Sequence, residues 1–207
     1  MALLNIRTIL LRLIVLTFFW SAFSLAESLP SDILSAPELI KALQSGGHII
    51  YMRHSATDHT QKDMDRHNLD DCSQQRNLSS TGRNQAKKIG LAIRKLGIPV
   101  GEILSSPYCR CKDTAQLVFG RFKIDPQLGF SISKNKDESK QLGKHLYSAM
   151  LNSTTGQKNT VFVGHTSNLK DGLGTWPKPE GVFVVFQKHG SRLVYKGMIK
   201  PDEWPEP

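Results

Sequence analysis

Two histidines and two arginines follow short apolar runs in this sequence. Arg53 and His54 come directly after His48–Met52, Arg110 lies just past Glu102–Ser106, and His165 closes the run Val161–Gly164. A neutral imidazole is a competent nucleophile near pH 7. A guanidinium stays charged, and its planar fork matches two phosphate oxygens. An arginine beside a nucleophilic histidine, a second arginine and a second histidine therefore suit transfer of a phosphoryl group through a covalent histidine intermediate. Fixed cationic donors would hold the developing charge without a metal. Taken singly, each histidine is better read as a buried, hydrogen-bonded side chain and each arginine as an ion-paired one. Placed together at one sheet edge, they are not.

The elements must supply that edge. His48–Met52, Glu102–Ser106 and Asn159–Gly164 are short, apolar and bounded by turn residues, which predicts buried strands. Between them lie helical patterns. Ser35 caps a helix with Pro37 in its first turn, running to about Leu43 and stopped by Gly46-Gly47. Ser79 or Ser80 caps a helix over 81–96, with Ala86, Ile89, Ile93 and Leu96 on one face. Further helices are expected over 108–119, 138–151 and 167–172, a third strand over 122–125, and a final hairpin of Val182–Phe186 with Leu193–Ile199 around Gly190. This alternation predicts a three-layer αβα sandwich with a mostly parallel central sheet. Ligands bind beyond the carboxyl ends of such strands, where Arg53-His54, Ser106 with Arg110, and Gly164-His165 stand. Thr57–Arg76 is polar and predicts a surface loop near that mouth.

Four motifs in order resemble the histidine phosphatase superfamily, the clan of phosphoglycerate mutases, acid phosphatases and phosphohistidine phosphatases. They are Tyr51-Met52-Arg53-His54-Ser55, then Asn77-Leu78-Ser79-Ser80-Thr81-Gly82-Arg83-Asn84-Gln85-Ala86, then Ser105-Ser106-Pro107-Tyr108-Cys109-Arg110-Cys111-Lys112-Asp113-Thr114-Ala115, and Val163-Gly164-His165. The resemblance spans roughly residues 47–199 and implies a phosphoglycerate mutase-like fold. It implies His54 as nucleophile, Arg53 and Arg110 as phosphoryl-binding groups, and His165 as a further donor to the phosphoryl group. It implies no metal and no organic cofactor. Ser55 stands where the family has glycine. The general acid is open: Asp58, four residues past the nucleophile, is the first candidate, with Asp171 and Glu180 behind it. The runner-up activities are a phosphoglycerate mutase-like phosphotransferase and a catalytically weak protein that binds phosphate ligands.

Residues 1–26 are different in kind. Arg7 and Arg12 precede an apolar run over 13–23, and Ser24-Leu25-Ala26 offers small residues for cleavage, the pattern of a secretory signal. The run is shorter than the roughly 20 residues of a spanning helix. The reading is a signal peptide at 1–26 and a single domain over 27–207, periplasmic or secreted, with no transmembrane span in the mature form. Of the 207 residues, 27 are Lys or Arg and 18 Asp or Glu, a net charge of +9. Loss of the leader would leave 25 basic residues against 18 acidic, or +7. That balance suits anionic partners such as a phosphorylated small molecule or an envelope glycolipid phosphate. No recognition motif or interleaving of aromatic with basic residues points to nucleic acid. Cys109 and Cys111 are closer than the two to four intervening residues of a structural zinc pair. In an oxidising compartment a Cys72–Cys109 disulfide would tie the polar loop down, with Cys111 as the competing partner.

Overall fold

The computed structural model describes residues 33–154 and 156–206. The leader and its cleavage point lie outside the described residues. Strand β1 (Ile49–Arg53) is apolar up to its last residue because both of its faces are covered. Ile50 and Met52 join Leu39 and Leu43 of α1 (Ala36–Gln44), Ala86 and Ile89 of α2 (Ser80–Lys95), and Ala115 and Val118 of α3 (Cys109–Phe119). Ile49 and Tyr51 face the other way, toward Leu146 and Met150 of α4 (Lys136–Asn152) and Leu169 of α5 (Thr166–Leu173). The alternation of side chains along one strand thus feeds two cores, one per sheet face, and produces the three layers.

The sheet also contains β2 (Val100–Ser105), β3 (Lys123–Ile124), β4 (Asn159–Gly164), β5 (Phe183–His189) and β6 (Arg192–Ile199), in the order β3-β2-β4-β1-β5-β6. The pairs β3–β2, β2–β4 and β4–β1 are parallel, while β5 and β6 add an antiparallel edge. The expected third strand is only two residues long. The register sets Arg53 opposite Gly164, and Ser105 opposite Val163. The carboxyl ends of β1, β4 and β2 are therefore level and adjacent.

Close backbone approaches fix the elements around that edge. A Cβ on Gly82 would run into the carbonyl of Ala56, so α2 packs its first turn directly on the segment after β1. Ser79 caps this helix by accepting from the Gly82 amide at 3.0 Å, and its own amide donates to Ala56. A Cβ on Gly164 would meet the Tyr51 hydroxyl, which donates to the His165 carbonyl at 2.8 Å. The Gly-His pair is thus a packing requirement as well as a chemical motif. Residues 58–77 form the expected irregular loop, interrupted by one short turn at Cys72–Gln74 and closed by a bridge between Thr57 and Leu78.

Candidate active site

His54 leaves β1 with a buried ring, and its Nδ1 lies 3.0 Å from the carbonyl oxygen of Ser55. A carbonyl can only accept, so Nδ1 carries the proton and the lone pair is on Nε2. Burial, reinforced by Arg110 and then Arg53 and Arg76, holds the imidazole well below its ordinary pKa of 6.5. A ring neutral at pH 7 with its lone pair on Nε2 has the chemistry of a nucleophile. His165 lies at the end of β4, its ring centroid 5.5 Å from that of His54. Its Nε2 sits 2.9 Å from Ser106 Oγ, beyond β2, which fixes the ring. Burial and the same arginines depress its pKa as well.

The arginines are oriented by carboxylates. Arg53 donates from Nη2 to Glu180 at 3.0 Å and from Nη1 to the Pro177 carbonyl at 3.3 Å. Arg110, in the first turn of α3, donates from Nη1 to Asp63 at 2.9 Å and from Nη2 to the same carboxylate at 3.4 Å. Its side chain is 0% exposed and that of Asp63 7%. A third arginine, Arg76, lines the same cavity as Arg53, His54 and His165. The Nε–H groups of Arg53, Arg76 and Arg110 are all buried without an acceptor. Unpaired buried donors are costly and uncommon. Three of them, one from each guanidinium, suit the oxygens of an anion. Thr166 and Ser167, at the amino end of α5, add a helix terminus to the same wall.

The cavity measures roughly 200 Å³, enough for a phosphoryl group and a small part of its ester. Trp176 and Ile132 stand exposed at its rim with Lys178. The ammonium groups of Lys170 and Lys178 lie 5.0 and 5.6 Å from the Trp176 ring centroid.

Arg53, His54 and His165 line one cavity, and Arg110, fully buried, lies near enough for its charge to depress both histidines but is not among the lining residues. Asp58 does not join them. Its carboxylate accepts from the Thr60 amide and hydroxyl at 3.0 and 2.7 Å and from Gln61 at 3.2 Å, a self-contained loop turn. Those bonds, the Thr60 hydroxyl first, lower its pKa, the wrong direction for a proton donor. Asp171 accepts from Ser131 at 2.8 Å and ties α5 to the turn before α4. Glu180 is at the site, but as the partner of Arg53 and of the Thr57 amide. Arg76 and Asp63 escaped the sequence reading because both lie in the polar loop, where only the placement of the chain distinguishes them from solvated charges. Ser55 has no positive φ, so the usual glycine is not needed for backbone reasons here. Its amide donates to Thr114 at 3.0 Å. Cys72 and Cys109 form the disulfide, and Cys111 remains a buried free thiol.

A parallel-sheet edge carrying two histidines and an arginine cluster has the chemistry to hold and attack an anionic phosphoryl group. The sequence profile of the histidine phosphatase superfamily (branch 1) matches residues 49–129, which include β1, the loop, α2, β2 and α3. Over those residues the chain is similar to that superfamily. Similar solved structures include the protein histidine phosphatase SixA complexed with tungstate, 13% identical, with a TM-score of 0.55 over 76% of this chain and 99% of that one. Another is the phosphoserine phosphatase of Entamoeba histolytica in complex with 3-phosphoglyceric acid, 16% identical, TM-score 0.56, over 76% and 99%. A third is a putative alpha-ribazole-5'-P phosphatase from Escherichia coli, 13% identical, TM-score 0.55, over 74% and 97%. At these identities the likeness establishes the phosphoglycerate mutase-like fold. No curated protein sequence matches the chain.

Proposed function

We propose that this chain is an exported, metal-independent phosphomonoesterase that works through a phosphohistidine at His54. The observation that carries the reading is His54, its Nε2 lone pair free, in one cavity with Arg53 and Arg76 and near the charge of Arg110, all three guanidinium groups keeping an Nε–H donor without a protein acceptor. Nε2 attacks phosphorus in line, and the P–O bond to the leaving group breaks as the P–N bond forms. The arginines and His165 take the charge on the phosphoryl oxygens. Among the described residues no carboxylate lines the cavity, so the leaving oxygen takes its proton from water and good leaving groups are favoured. Water then attacks the phosphohistidine, releasing phosphate and restoring the neutral imidazole.

Export is supported by the leader pattern at 1–26 and by the disulfide, which persists in oxidising compartments. Among the described residues no helix is long and apolar enough to cross a membrane. The Entamoeba enzyme binds 3-phosphoglyceric acid, a small phosphorylated acid of the size this cavity suits. A phosphorylated small molecule or a phosphate on an envelope glycolipid would present the same group.

The test is hydrolysis of an aryl phosphate by the protein and by His54→Ala, with and without chelator. Turnover that resists chelator and falls by at least about a thousandfold in the variant supports the nucleophile. An acid-labile phosphorylated species should be trapped on the unsubstituted protein only. Phosphate binding without turnover in either protein would make this a phosphate-ligand binder instead.

A further inference from the structure

We propose that the Cys72–Cys109 disulfide controls the phosphatase: it holds the loop whose Asp63 aims Arg110 at the phosphoryl group, so reducing it disables phosphate binding. The inference rests on the reading of the site given above.

Both terminal nitrogens of Arg110 are held by the loop. Nη1 and Nη2 donate to Asp63, and Nη1 also donates to the Arg76 carbonyl at 3.3 Å. Asp63 additionally accepts from the Arg76 amide at 3.0 Å, so one carboxylate places two of the three arginines. That leaves the Nε–H of Arg110 as the donor without an acceptor. A buried ion pair survives only where its geometry is enforced, because each partner alone would regain more by hydration.

Apolar burial enforces it little: of this loop, Leu69 alone packs, partly buried, against the core. Between Asp58 and Asn77 the only residue that is fully buried is Gln75, and Met64, next to Asp63, is 74% exposed. The loop is held by polar bonds at the start of α3, where Gln75 accepts from the Cys109 amide at 3.0 Å, and by the covalent bond from Cys72 to Cys109. Cys109 is the residue before Arg110. Cys72 is exposed, so a reductant can reach the bond. A dithiol donates two electrons and two protons: the S–S bond breaks, two cysteine thiols form, and the dithiol becomes a disulfide. Cut free, the loop can open and hydrate Asp63, and Arg110 and Arg76 lose their common anchor. The protein would then be active only after reaching an oxidising compartment.

The experiment measures aryl phosphate hydrolysis and inhibition by inorganic phosphate before and after dithiothreitol, with free thiols counted under native conditions plus denaturant. The thiol count should rise from one to three as the bond opens. The expected result is a KM and an inhibition constant for phosphate about tenfold higher or more, the loss of a charge-assisted contact, reversed on reoxidation. Asp63→Ala should show the same rise with the disulfide intact, and Asp63→Glu should recover part of it. The double variant Cys72→Ser, Cys109→Ser should match the reduced protein and ignore dithiothreitol. A fully reduced, folded protein whose KM and phosphate inhibition stay within about twofold overturns the inference. If the oxidised protein turns over no ester, the phosphatase reading fails separately. The same comparison is then read by calorimetry of phosphate binding, where an affinity unchanged by reduction also overturns it.

Discussion

His54 and His165 are buried as neutral rings, and the folded state resists their protonation. Burial and the nearby arginines lower both pKa values well below the 6.5 of an exposed histidine. Below pH 6.5 the unfolded chain therefore binds more protons than the folded one, and stability rises with pH there. The contribution of each ring is present in full above pH 6.5 and is lost progressively as pH falls toward the depressed folded values. Thermal melts from pH 7.5 to pH 5 should show a falling midpoint, and His165→Gln should flatten that slope. A variant with the same slope as the unsubstituted protein would remove His165 from the account. For the same reason His54 stays neutral on the acid side of neutrality, so under the proposed mechanism acid loss of activity should follow unfolding more than titration of His54.

The sheet edge works because three strand ends are level, and that alignment depends on helices lying close to the chain that follows β1. Gly82 is the tightest point. It stands in the first turn of α2, where an added methyl would strike the Ala56 carbonyl two residues past His54. Gly82→Ala would ordinarily favour a helix, but here it forces α2 away from the site. Overpacking of this kind costs about 1–3 kcal/mol. The variant should unfold at lower denaturant and lose turnover disproportionately, as measured by chemical denaturation beside steady-state kinetics. The motif around Gly82 was legible in the sequence, as were the strands, because short apolar runs and caps are local signals. His54, Arg53, Arg110 and His165 were legible for a related reason: each stands at a fixed offset from a strand end. Asp63 and Arg76 were not. The loop that carries them has no periodicity, and its contacts reach 47 and 34 residues along the chain to Arg110. Asp58 misled for the complementary reason, since proximity in sequence to the nucleophile placed it on the loop but not in the cavity.

Across the whole molecule the charge is uneven in consequence as well as in number. The chain carries +9. Near the cavity the two buried carboxylates, Asp63 and Glu180, are each spent on an arginine. Arg76 lines the wall without an ion-pair partner among the described residues, and Lys178 stands at the rim with Lys170 held against the same tryptophan. A dianionic ester approaching this mouth meets a surplus of positive charge that lies partly in solvent. Exposed charges are screened over about 8 Å at physiological salt, while the buried guanidinium groups are screened far less. Capture and chemistry should therefore respond differently to salt. Raising sodium chloride from about 20 to 300 mM should lower kcat/KM for an aryl phosphate severalfold, on the order of three to ten. The decrease should fall on KM, with kcat changing by less than about twofold, because the interactions made in the transition state are buried. Lys178→Glu should reduce kcat/KM at low salt and weaken its dependence on salt, since the variant removes part of the field that salt would have screened. An unchanged salt slope in Lys178→Glu would show that the rim lysines do not guide substrate and that the buried arginines alone attract the phosphate. A kcat that falls as steeply as kcat/KM would instead place the screened charges in the chemical step.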